Sequence, residues 1–409
     1  MADTAKPPHV LIVGAGIVGL LIAQGLKKHG ISFEVFEAEV SETHYRPREW
    51  GCSVQWGLPM LQDLFTAEKY NRIHTATVDP YHVPADPGHL PTFNGATGEL
   101  LKNVPLLRMY RISRRRFRAF CAEDIKVQYN KKLKDVSYSD DGTSVTALFE
   151  DDSQATGTLI IGSDGAQSQV RYSVFGSDGG QPQRVPFSAV NLHVCYNDAE
   201  KALFVRQHHP IMQMGIHPDG YWLWISIQEV PDPENPATWV FQLQSTWNAV
   251  EGEEVASLEN LKRRAATYGE PFRSANLWIP EGTPIYENKL SYWVPTPWDT
   301  QNGRVLLAGD AAHPMTFQRG QGLNHGIADA RSFVAKLKEA VDGKMTVEQA
   351  AAEYQEEMVE RAGDEVKTSK ENTEMLHDWA RMADSPIMQR GGYAKGQEQT
   401  PAPPVGAKA

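Results

Sequence analysis

The sequence has 409 residues, of which 41% are hydrophobic, so the chain can bury the cores of two or three domains. The formal net charge is −11. This acidic balance argues against a surface for nucleic acid or anionic lipid, because clustered cations hold both of those partners.

The first predicted elements are a strand, a helix and a second strand in HVLIVGAGIVGLLIAQGLKKHGISFEVFEAE, residues 9–39. Gly14 permits a tight turn, Gly16 lets the backbone approach a pyrophosphate, and Gly19 lets the helix pack closely on the strand. Glu37 ends the second strand, where it can accept hydrogen bonds from a ribose hydroxyl and disfavours a ribose 2′-phosphate. The pattern predicts a dinucleotide site that takes FAD or NAD.

Two later strands are predicted to end in the same way, with an acid beside a glycine. A meander of short antiparallel strands, residues 135–157, leads into the buried strand 159–162 and then Asp164. A third buried strand, residues 304–308, leads into Asp310 and the glycine-rich stretch GDAAHPMTFQRGQG. An amphipathic helix begins near Gly322. Since parallel sheets bind ligands at the carboxyl ends of their strands, we expect these strand ends to share one ligand.

Alternating strands dominate residues 181–294, for example residues 221–228 and 238–243. They predict a half-buried antiparallel sheet, and the Pro- and Gly-rich segment 76–104 is predicted to add a hairpin. Such a sheet could form an apolar pocket over the ligand. The many tryptophans favour an aromatic or polycyclic ligand, although core packing explains them equally well.

The cysteines, Cys52, Cys121 and Cys195, lie far apart and lack the spacing of metal ligands or redox pairs. We therefore expect free thiols in a reducing compartment, without a disulfide or a metal site. No apolar run reaches the roughly 18 residues that a membrane span needs. A strand predicted from about Val10 leaves no room for a signal peptide, which favours a cytoplasmic location.

The motifs GAGIVG, GSDGAQSQVR and GDAAHPMTFQRGQGLNHGIADA occur in this order, together with RPREWGCSVQWG and RISRRRF. In this combination the chain resembles the single-component FAD-dependent aromatic hydroxylases similar to para-hydroxybenzoate hydroxylase, which include many fungal tailoring monooxygenases. The likeness covers residues 8–60, 105–175 and 300–360. Phe317 stands where the family often has proline, and Leu323 where alanine is usual.

The resemblance implies a set of FAD-binding residues drawn from separate parts of the chain. The set is Gly14, Gly16, Gly19, Glu37, Arg48, Gly51, Arg114, Asp164, Asp310, Pro314, Gly322, Leu323 and Asn324. In the family the two arginines approach the FAD phosphates or ribose, and Asp310 binds the ribityl or pyrophosphate part. The helix that begins at Gly322 presents backbone to the pyrimidine end of the flavin, which is negative when reduced.

The resemblance also implies the fold. It is α/β, with a Rossmann-like FAD-binding domain of the glutathione-reductase type, an inserted and mainly antiparallel substrate domain, and C-terminal helices. The FAD-binding domain comprises residues 1–75, 105–180 and 295–345, and the substrate domain residues 76–104 and 181–294. Residues 346–385 are predicted to be helical, and the composition of residues 386–409 predicts a disordered tail.

The implied reaction is oxygen insertion into an aromatic or polycyclic substrate of the secondary-metabolite type. NAD(P)H reduces FAD, and O2 then forms a flavin C4a-hydroperoxide. The sequence has no second GxGxxG motif, so the nicotinamide is expected to bind transiently. Arg206, which could polarise an oxyanion, and Tyr221, which could relay a proton, are the candidate catalytic residues. A solvated arginine and a core tyrosine are the competing interpretations.

Other functions stay open at this point. Trp222-x-Trp224 resembles the tryptophan motif of flavin halogenases, although Ser226 stands where that motif has proline. An FAD-dependent reductase acting on an isoprenoid would not consume O2, and a binding protein on this fold would hold no flavin. Hydroxylation, epoxidation and Baeyer-Villiger insertion are equally compatible with the motifs, and no oligomeric state is predicted.

Overall fold

The computed structural model of the protein describes residues 7–43 and 49–393. The strands in this part of the chain are β1 (His9–Val13), β2 (Ser32–Phe36), β3 (Gly51–Val54), β4 (Gly88–Asn94), β5 (Leu100–Leu106), β6 (Tyr110–Ser113), β7 (Val127–Gln128), β8 (Leu133–Tyr138), β9 (Val145–Phe149), β10 (Gln154–Gly157), β11 (Leu159–Gly162), β12 (Gln183–Arg184), β13 (Phe187–Cys195), β14 (Met212–His217), β15 (Tyr221–Glu229), β16 (Val240–Asn248), β17 (Ile285–Glu287), β18 (Ser291–Tyr292) and β19 (Val305–Leu307). The α-helices are α1 (Ile17–Lys28), α2 (Leu61–Leu64), α3 (Ala67–Asn71), α4 (Arg114–Ala122), α5 (Gln169–Gly179), α6 (Ala199–Arg206), α7 (Leu258–Ala265), α8 (Phe272–Leu277), α9 (Gly322–Val341), α10 (Val347–Leu376) and α11 (Pro386–Arg390).

A five-stranded parallel sheet in the order β19-β11-β1-β2-β7 forms the first layer. Its central strands are continuous apolar runs because both faces are covered, and residues 10–12 and 160–161 are fully buried. Helices α1 and α9 pack against each other beside it. Because β1, β11 and β19 are neighbours, their carboxyl ends lie side by side at one edge of the sheet.

A seven-stranded sheet in the order β17-β13-β16-β15-β14-β4-β5 forms the second layer. Its side chains alternate between two faces. Leu223 and Ile225 on β15 belong to a core with helices α6, α7 and α8, whereas Trp222 and Trp224 belong to a separate core with the C-terminal segment. The hairpin expected within residues 76–104 is β4 and β5, and the proposed boundary at residue 104 falls inside β5.

Smaller sheets join these layers. Strands β8, β9 and β10 form the expected antiparallel meander. A two-stranded ribbon, β3 with β6, pairs Gly51 with Ser113 and Ser53 with Arg111. This ribbon lies close to β15 of the second layer, so its residues lie between the two large sheets and can contact the second one.

The C-terminal part is more ordered than its composition indicates. Helix α10 begins at a capping box formed by Thr346 and Gln349. The prediction of a disordered tail from residue 386 is wrong for the first residues of that segment. Pro386–Arg390 is a helix, and its Ile387 and Met388 are buried. The backbone N–H of Gly392 donates to the carbonyl oxygen of Pro105 over 3.2 Å. Contact with β5 supplies the burial that the composition of this segment does not reveal, and residues 394–409 lie outside the described residues.

Histidines in apolar surroundings make the fold sensitive to acid. Burial lowers the pKa of His193, His209 and His377 from 6.5 to about 4. The unfolded chain therefore binds more protons between these values, so the stabilisation is complete above about pH 6.5 and is lost as the pH falls towards 4. We expect His377 alone to account for about 1–2 kcal/mol of lost unfolding free energy at about pH 5.

Urea unfolding followed by tryptophan fluorescence at about pH 7.5 and about pH 5 measures this loss. The matched variant is His377→Gln, whose amide does not titrate, and its unfolding free energy should fall less over the same interval. An identical pH dependence in the two proteins would contradict the assignment to His377.

Candidate active site

The carboxyl ends of the three central strands are tied together by hydrogen bonds. Gly14 adopts a φ of +103°, which favours glycine, and it turns the chain directly after β1. The hydroxyl of Ser163 donates to the carbonyl oxygen of Gly14 over 2.9 Å. The N–H of Ala308 donates to the carbonyl oxygen of Gly162 over 2.8 Å. The glycine loop, the loop after β11 and the loop after β19 therefore meet at one place.

A cavity of about 550 Å³ opens at this meeting point. It reaches from the glycine loop to the amino terminus of α9 and to the large sheet. The sequence-predicted site residues that line it are Gly16, Gly51, Arg114, Asp310, Pro314, Gly322 and Leu323. Arg48 lies outside the described residues.

Glu37 holds the glycine loop rather than lining the cavity. Its carboxylate accepts one hydrogen bond from the N–H of Ala15 over 2.8 Å and another from the N–H of Glu39 over 2.9 Å. The guanidinium of Arg118 lies 3.8 Å away and donates to the carbonyl oxygen of Ala15 over 2.8 Å. These contacts keep the loop between β1 and α1 in one position.

Asp164 shapes the loop after β11. It accepts hydrogen bonds from the Ser168 hydroxyl over 2.5 Å and from the Gln169 N–H over 2.7 Å, at the start of α5. Burial raises the pKa of its carboxyl, and these hydrogen bonds act in the opposite direction. The neighbours Ser163 and Gly165 line the cavity, so Asp164 supports the wall from behind.

Asn324 fastens the start of α9 to the ribbon. Its side-chain oxygen accepts from the N–H of Gln55 over 2.9 Å, and its amide donates to the carbonyl oxygen of Ser53 over 3.0 Å. The first N–H groups of an α-helix have no partner within the helix. The Asn324 side chain is fully buried and fixes the position of this helix end. The first N–H groups of α9 are thereby held towards the cavity, which Gly322 and Leu323 line.

Asp310 is exposed, but the surface it faces is the interior of the cavity. The surrounding protein raises the pKa of its carboxyl by desolvation, while His313, Arg114 and Arg171 partly offset this rise. Arg171 is fully buried and donates to the carbonyl oxygens of Ala311 over 2.8 Å and Asp310 over 3.3 Å. Arg171, which ends the quoted motif GSDGAQSQVR, thereby joins the loops after β11 and β19.

A buried charged group supports the Asp310 loop from below. Asp329 on α9 accepts hydrogen bonds from His313 over 2.6 Å and from the Gly309 N–H over 2.7 Å. The guanidinium of Arg361 on α10 completes the group at 2.8 Å. Although burial opposes ionisation of Asp329, His313 and Arg361 hold the pKa of its carboxyl below the usual value. Sequence reasoning missed this group because its members come from different elements.

The structure places neither candidate catalytic residue at the cavity. Arg206 ends α6, pairs with Asp79 at 2.5 Å and stacks on Trp239 with its guanidinium 4.4 Å from the ring centre. Tyr221 packs against Tyr268, with ring centres 5.8 Å apart, on the opposite side of β15 from the cavity. Alternation along β15 turns its odd-numbered residues to the α6–α8 core, so the core interpretation describes Tyr221.

Residues outside the predicted FAD-binding and catalytic sets also line the cavity. They include Trp222, Trp224 and Gln244 from the large sheet, Arg111 on β6 and Met109 just before it, and Ile387 from α11. Arg111 lies three residues before Arg114, which was predicted to bind FAD. The sequence signal for Trp222 and Trp224 was the alternation of β15, but that alternation alone does not say which face meets a ligand.

The cavity offers backbone surface of the kind that a phosphate needs. A methyl group built on Gly16 would meet nothing closer than the Ser163 carbonyl oxygen at 4.0 Å, and one built on Gly322 nothing closer than 3.9 Å. The cationic Arg114 and the amino terminus of α9 face the same space. The residues present therefore fit an elongated dinucleotide with a phosphate part and a ring part.

Comparison with known proteins agrees with this geometry. The profile of the family described as FAD binding domain matches residues 119–369, and that of the NAD(P)-binding Rossmann-like domain matches residues 12–66. A Penicillium herquei protein, FAD-dependent monooxygenase phnB, is 40% identical over 95% of this chain and 96% of its own length. This chain belongs to the FAD-dependent monooxygenases. Talaromyces islandicus FAD-dependent monooxygenase cctM is also 40% identical, over 94% of this chain and 96% of that one.

The monooxygenase shares its fold with solved aromatic hydroxylases. 2,6-Dihydroxypyridine-3-hydroxylase from Arthrobacter nicotinovorans superposes with a TM-score of 0.73 at 17% identity, covering 98% of this chain and 99% of that chain. The predicted fold class, enzyme class and FAD cofactor are therefore confirmed. In the described part of the monooxygenase no helix is long and apolar enough to cross a membrane. Residues 7–43 and 49–393 contain no cluster of three His, Cys, Asp or Glu side chains suited to a metal ion.

Proposed function

We propose that this monooxygenase uses NAD(P)H and O2 to insert one oxygen atom into an aromatic or polycyclic substrate, and that it does so in the cytoplasm. The observation that carries the proposal is one continuous cavity, which joins the glycine loop and the start of α9 to a wall of tryptophan, methionine and leucine. The three cysteines of the protein are free thiols, which agrees with a reducing compartment such as the cytoplasm.

We assign the two ends of FAD to the two ends of this cavity. The backbone around Gly16 and the side chain of Arg114 would hold the phosphates, and Asp310 would accept hydrogen bonds from the ribityl chain. The start of α9, at Gly322 and Leu323, would lie at the pyrimidine edge, where its positive partial charge stabilises an anionic ring. Glu37, Asp164 and the other predicted residues behind the wall act by fixing these loops.

Bound FAD supplies the redox chemistry, accepting a hydride from NAD(P)H and activating O2. The balance is one substrate C–H bond, O2, NAD(P)H and a proton converted into a C–OH group, NAD(P)+ and water. The protein must keep water away from the activated oxygen. Trp222, Met212 and Leu90, each at most 3% exposed, line the cavity and provide apolar cover.

The names of relatives support this reading. The two fungal proteins with 40% identity are both FAD-dependent monooxygenases, and a neighbour in fold was solved as a substrate complex of salicylate hydroxylase. The TM-score of that neighbour is 0.71 at 19% identity. An aromatic substrate for this chain is consistent with those names and with its own tryptophan-rich wall.

Turnover under labelled oxygen tests the proposed function. The purified protein would be given NADPH or NADH, 1,3-dihydroxynaphthalene as the probe, and ¹⁸O2 in an oxygen electrode. We expect O2 uptake stimulated by the probe and a product that carries one labelled oxygen atom. Reduction of the probe without O2 uptake would identify a reductase, and a product that requires chloride would identify a halogenase; either result would contradict the proposal.

Asp310→Ala should weaken FAD binding by roughly 10–100-fold, because a charge-assisted hydrogen bond is lost. The apo-protein should not lose stability, since the Asp310 carboxylate faces the cavity and its charge is desolvated there. Quenching of flavin fluorescence during titration with FAD measures the affinity. Asp135→Ala, which removes an exposed acid on β8, is the matched control and should bind FAD normally. Equal affinity in the two variants would remove Asp310 from the FAD site.

A further inference from the structure

Arg111 is a buried cation at the wall of the cavity. It lies on β6 opposite Ser53, and its side chain reaches from the ribbon to the large sheet. There its guanidinium lies 5.2 Å from the ring centre of Trp224. The residue is 7% exposed and lines the cavity. Its charge is therefore placed against whatever ligand fills the space beside Trp224.

The hydrogen-bond partners of Arg111 are all neutral. Nη1 donates to the Ser53 hydroxyl over 3.1 Å, and Nη2 donates to Gln242 over 2.8 Å and to the Ser226 hydroxyl over 3.4 Å. Among residues 7–43 and 49–393, Arg111 forms no ion pair with a carboxylate, and no acidic side chain other than the Cys52 thiol acts on its pKa. By contrast, the buried Arg319 is paired with Glu365 at 2.6 Å.

This isolation has an energetic cost that a ligand could offset. Burial lowers the pKa of Arg111 to about 10, so the side chain is still a cation near neutral pH. The nearby Cys52 gives no compensating charge, because burial raises the pKa of its thiol. A buried charge without a counter-charge is strongly unfavourable, and an anion in the cavity would supply the missing partner.

The position of Arg111 indicates that this anion belongs to the substrate. Ser226 and Trp224 are on β15 and Gln242 is on β16, so the guanidinium contacts the large sheet. The cavity has a second cation, Arg114, which acts on the pKa of Asp310 and which we assign to the FAD phosphates.

The free hydrogen-bonding positions of Arg111 suit a single oxygen atom. A guanidinium has five N–H groups, of which the contacts above use three. The edge that carries Nε is closed by Gly51, where an added methyl group would come within 2.6 Å of that nitrogen. A carboxylate usually binds two parallel N–H groups of a guanidinium, whereas here one Nη1 hydrogen is left. This geometry favours a phenolate or an enolate.

The two tryptophans on β15 give the wall beside Arg111 an apolar, aromatic surface. The indole N–H groups of Trp222 and Trp224 and the side-chain amide of Gln244 are buried without a hydrogen-bond partner. The two indoles are stacked, with an interplanar angle of 14°. A flat aromatic ligand would complement this stacked apolar surface.

We propose that Arg111 binds the oxyanion of a phenolate or enolate substrate and thereby selects ionised aromatic molecules. This inference rests on the proposed function for its site, because the ligand beside Trp224 is taken to be the substrate. The role is one of binding and positioning, and it requires no step beyond the oxygen insertion written above.

Calorimetric titration of the FAD-loaded protein tests the proposal without turnover. The probes are 2-hydroxy-1,4-naphthoquinone, which is an enolate at neutral pH, its methyl ether 2-methoxy-1,4-naphthoquinone, and 2-naphthoate as the carboxylate. We expect the wild type to bind the enolate roughly tenfold or more tightly than the ether, and more tightly than the naphthoate. Failure of the wild type to prefer the enolate, including failure to bind either quinone, would overturn the proposal.

Variants assign that preference to one side chain. Arg111→Met should bind FAD normally and lose the preference, whereas Arg111→Lys, which keeps the charge, should keep part of it. Arg331→Met, which removes an exposed arginine paired with Asp63, is the control and should match the wild type. An unchanged preference in Arg111→Met, or equal preferences in the two Arg111 variants, would overturn the proposal, and so would loss of FAD from Arg111→Met.

A wild-type protein that prefers the enolate stays informative if Arg111→Met does not fold. In that case Arg111→Lys carries the test, and a preference as large as that of the wild type would overturn the proposed geometry. Because no nicotinamide is present, enolate binding through Arg111 in a protein that fails the labelled-oxygen assay would contradict the proposed function alone.

Discussion

Gly19→Ala is expected to lower the unfolding free energy by about 3 kcal/mol or more, because the added methyl group would overlap atoms that cannot move away. It would lie inside van der Waals contact with the carbonyl oxygen of Gly14 and with the hydroxyl of Ser163. Ser163 is itself held by its hydrogen bond to Gly14, and the Gly14 N–H donates to Phe36 over 2.7 Å. The clash therefore falls on the tightly connected strand ends.

Gly16→Ala, three residues earlier in the sequence, is the matched variant. Its methyl group would meet no atom closer than 4.0 Å, so the apo-protein should keep its stability. The same methyl group would occupy the space that we assign to the FAD phosphates, and FAD affinity should fall at least roughly tenfold. Urea unfolding of the apo-proteins and FAD titration separate the two effects. Equal loss of stability in both variants would contradict this account of the glycine loop.

Asp329→Ala should have the second large effect, a loss of about 3–5 kcal/mol in unfolding free energy, because it leaves the buried His313 ring and the buried Gly309 N–H without their acceptor. Asp329 is fully buried and accepts from His313, Arg361 and the backbone N–H of Gly309. Gly309 precedes Asp310, so the same variant should also weaken FAD binding by disturbing the loop after β19.

The control for this variant lies on the same helix. Asp342 caps the carboxyl end of α9 and forms an exposed ion pair with Lys338, so Asp342→Ala should cost at most about 1 kcal/mol. Urea unfolding of both variants at neutral pH gives the comparison. Similar midpoints for Asp329→Ala and Asp342→Ala would show that the buried group does not stabilise the loop.

Local patterns in the sequence were sufficient for the main elements of the site. Gly14 and Gly16 were predicted between β1 and α1, Asp164 after β11 and Asp310 after β19, and each stands there in the structure. These predictions succeed because strand burial, tight turns and helix starts depend on residues close together in the chain. The order of motifs also predicted the family, which the comparisons confirmed.

The substrate side of the site was harder to predict for a physical reason. Alternation along β15 separates Tyr221 from Trp222, but either face of the strand could have met the ligand. The tertiary structure decided this by packing α6–α8 on the face that carries Tyr221. Arg206 also lies away from the cavity, because it ends α6 and pairs with Asp79.

The sequence by itself determined which segments become strands and helices and which loops carry glycine and acid, since these follow from local sterics and the periodicity of apolar residues. Only the tertiary structure decided that β19, β11 and β1 are neighbours, that Arg111 meets Trp224, and that residues 386–393 pack on β5. Such contacts join residues distant in the chain, and they form because apolar faces with several possible partners are buried together in one arrangement.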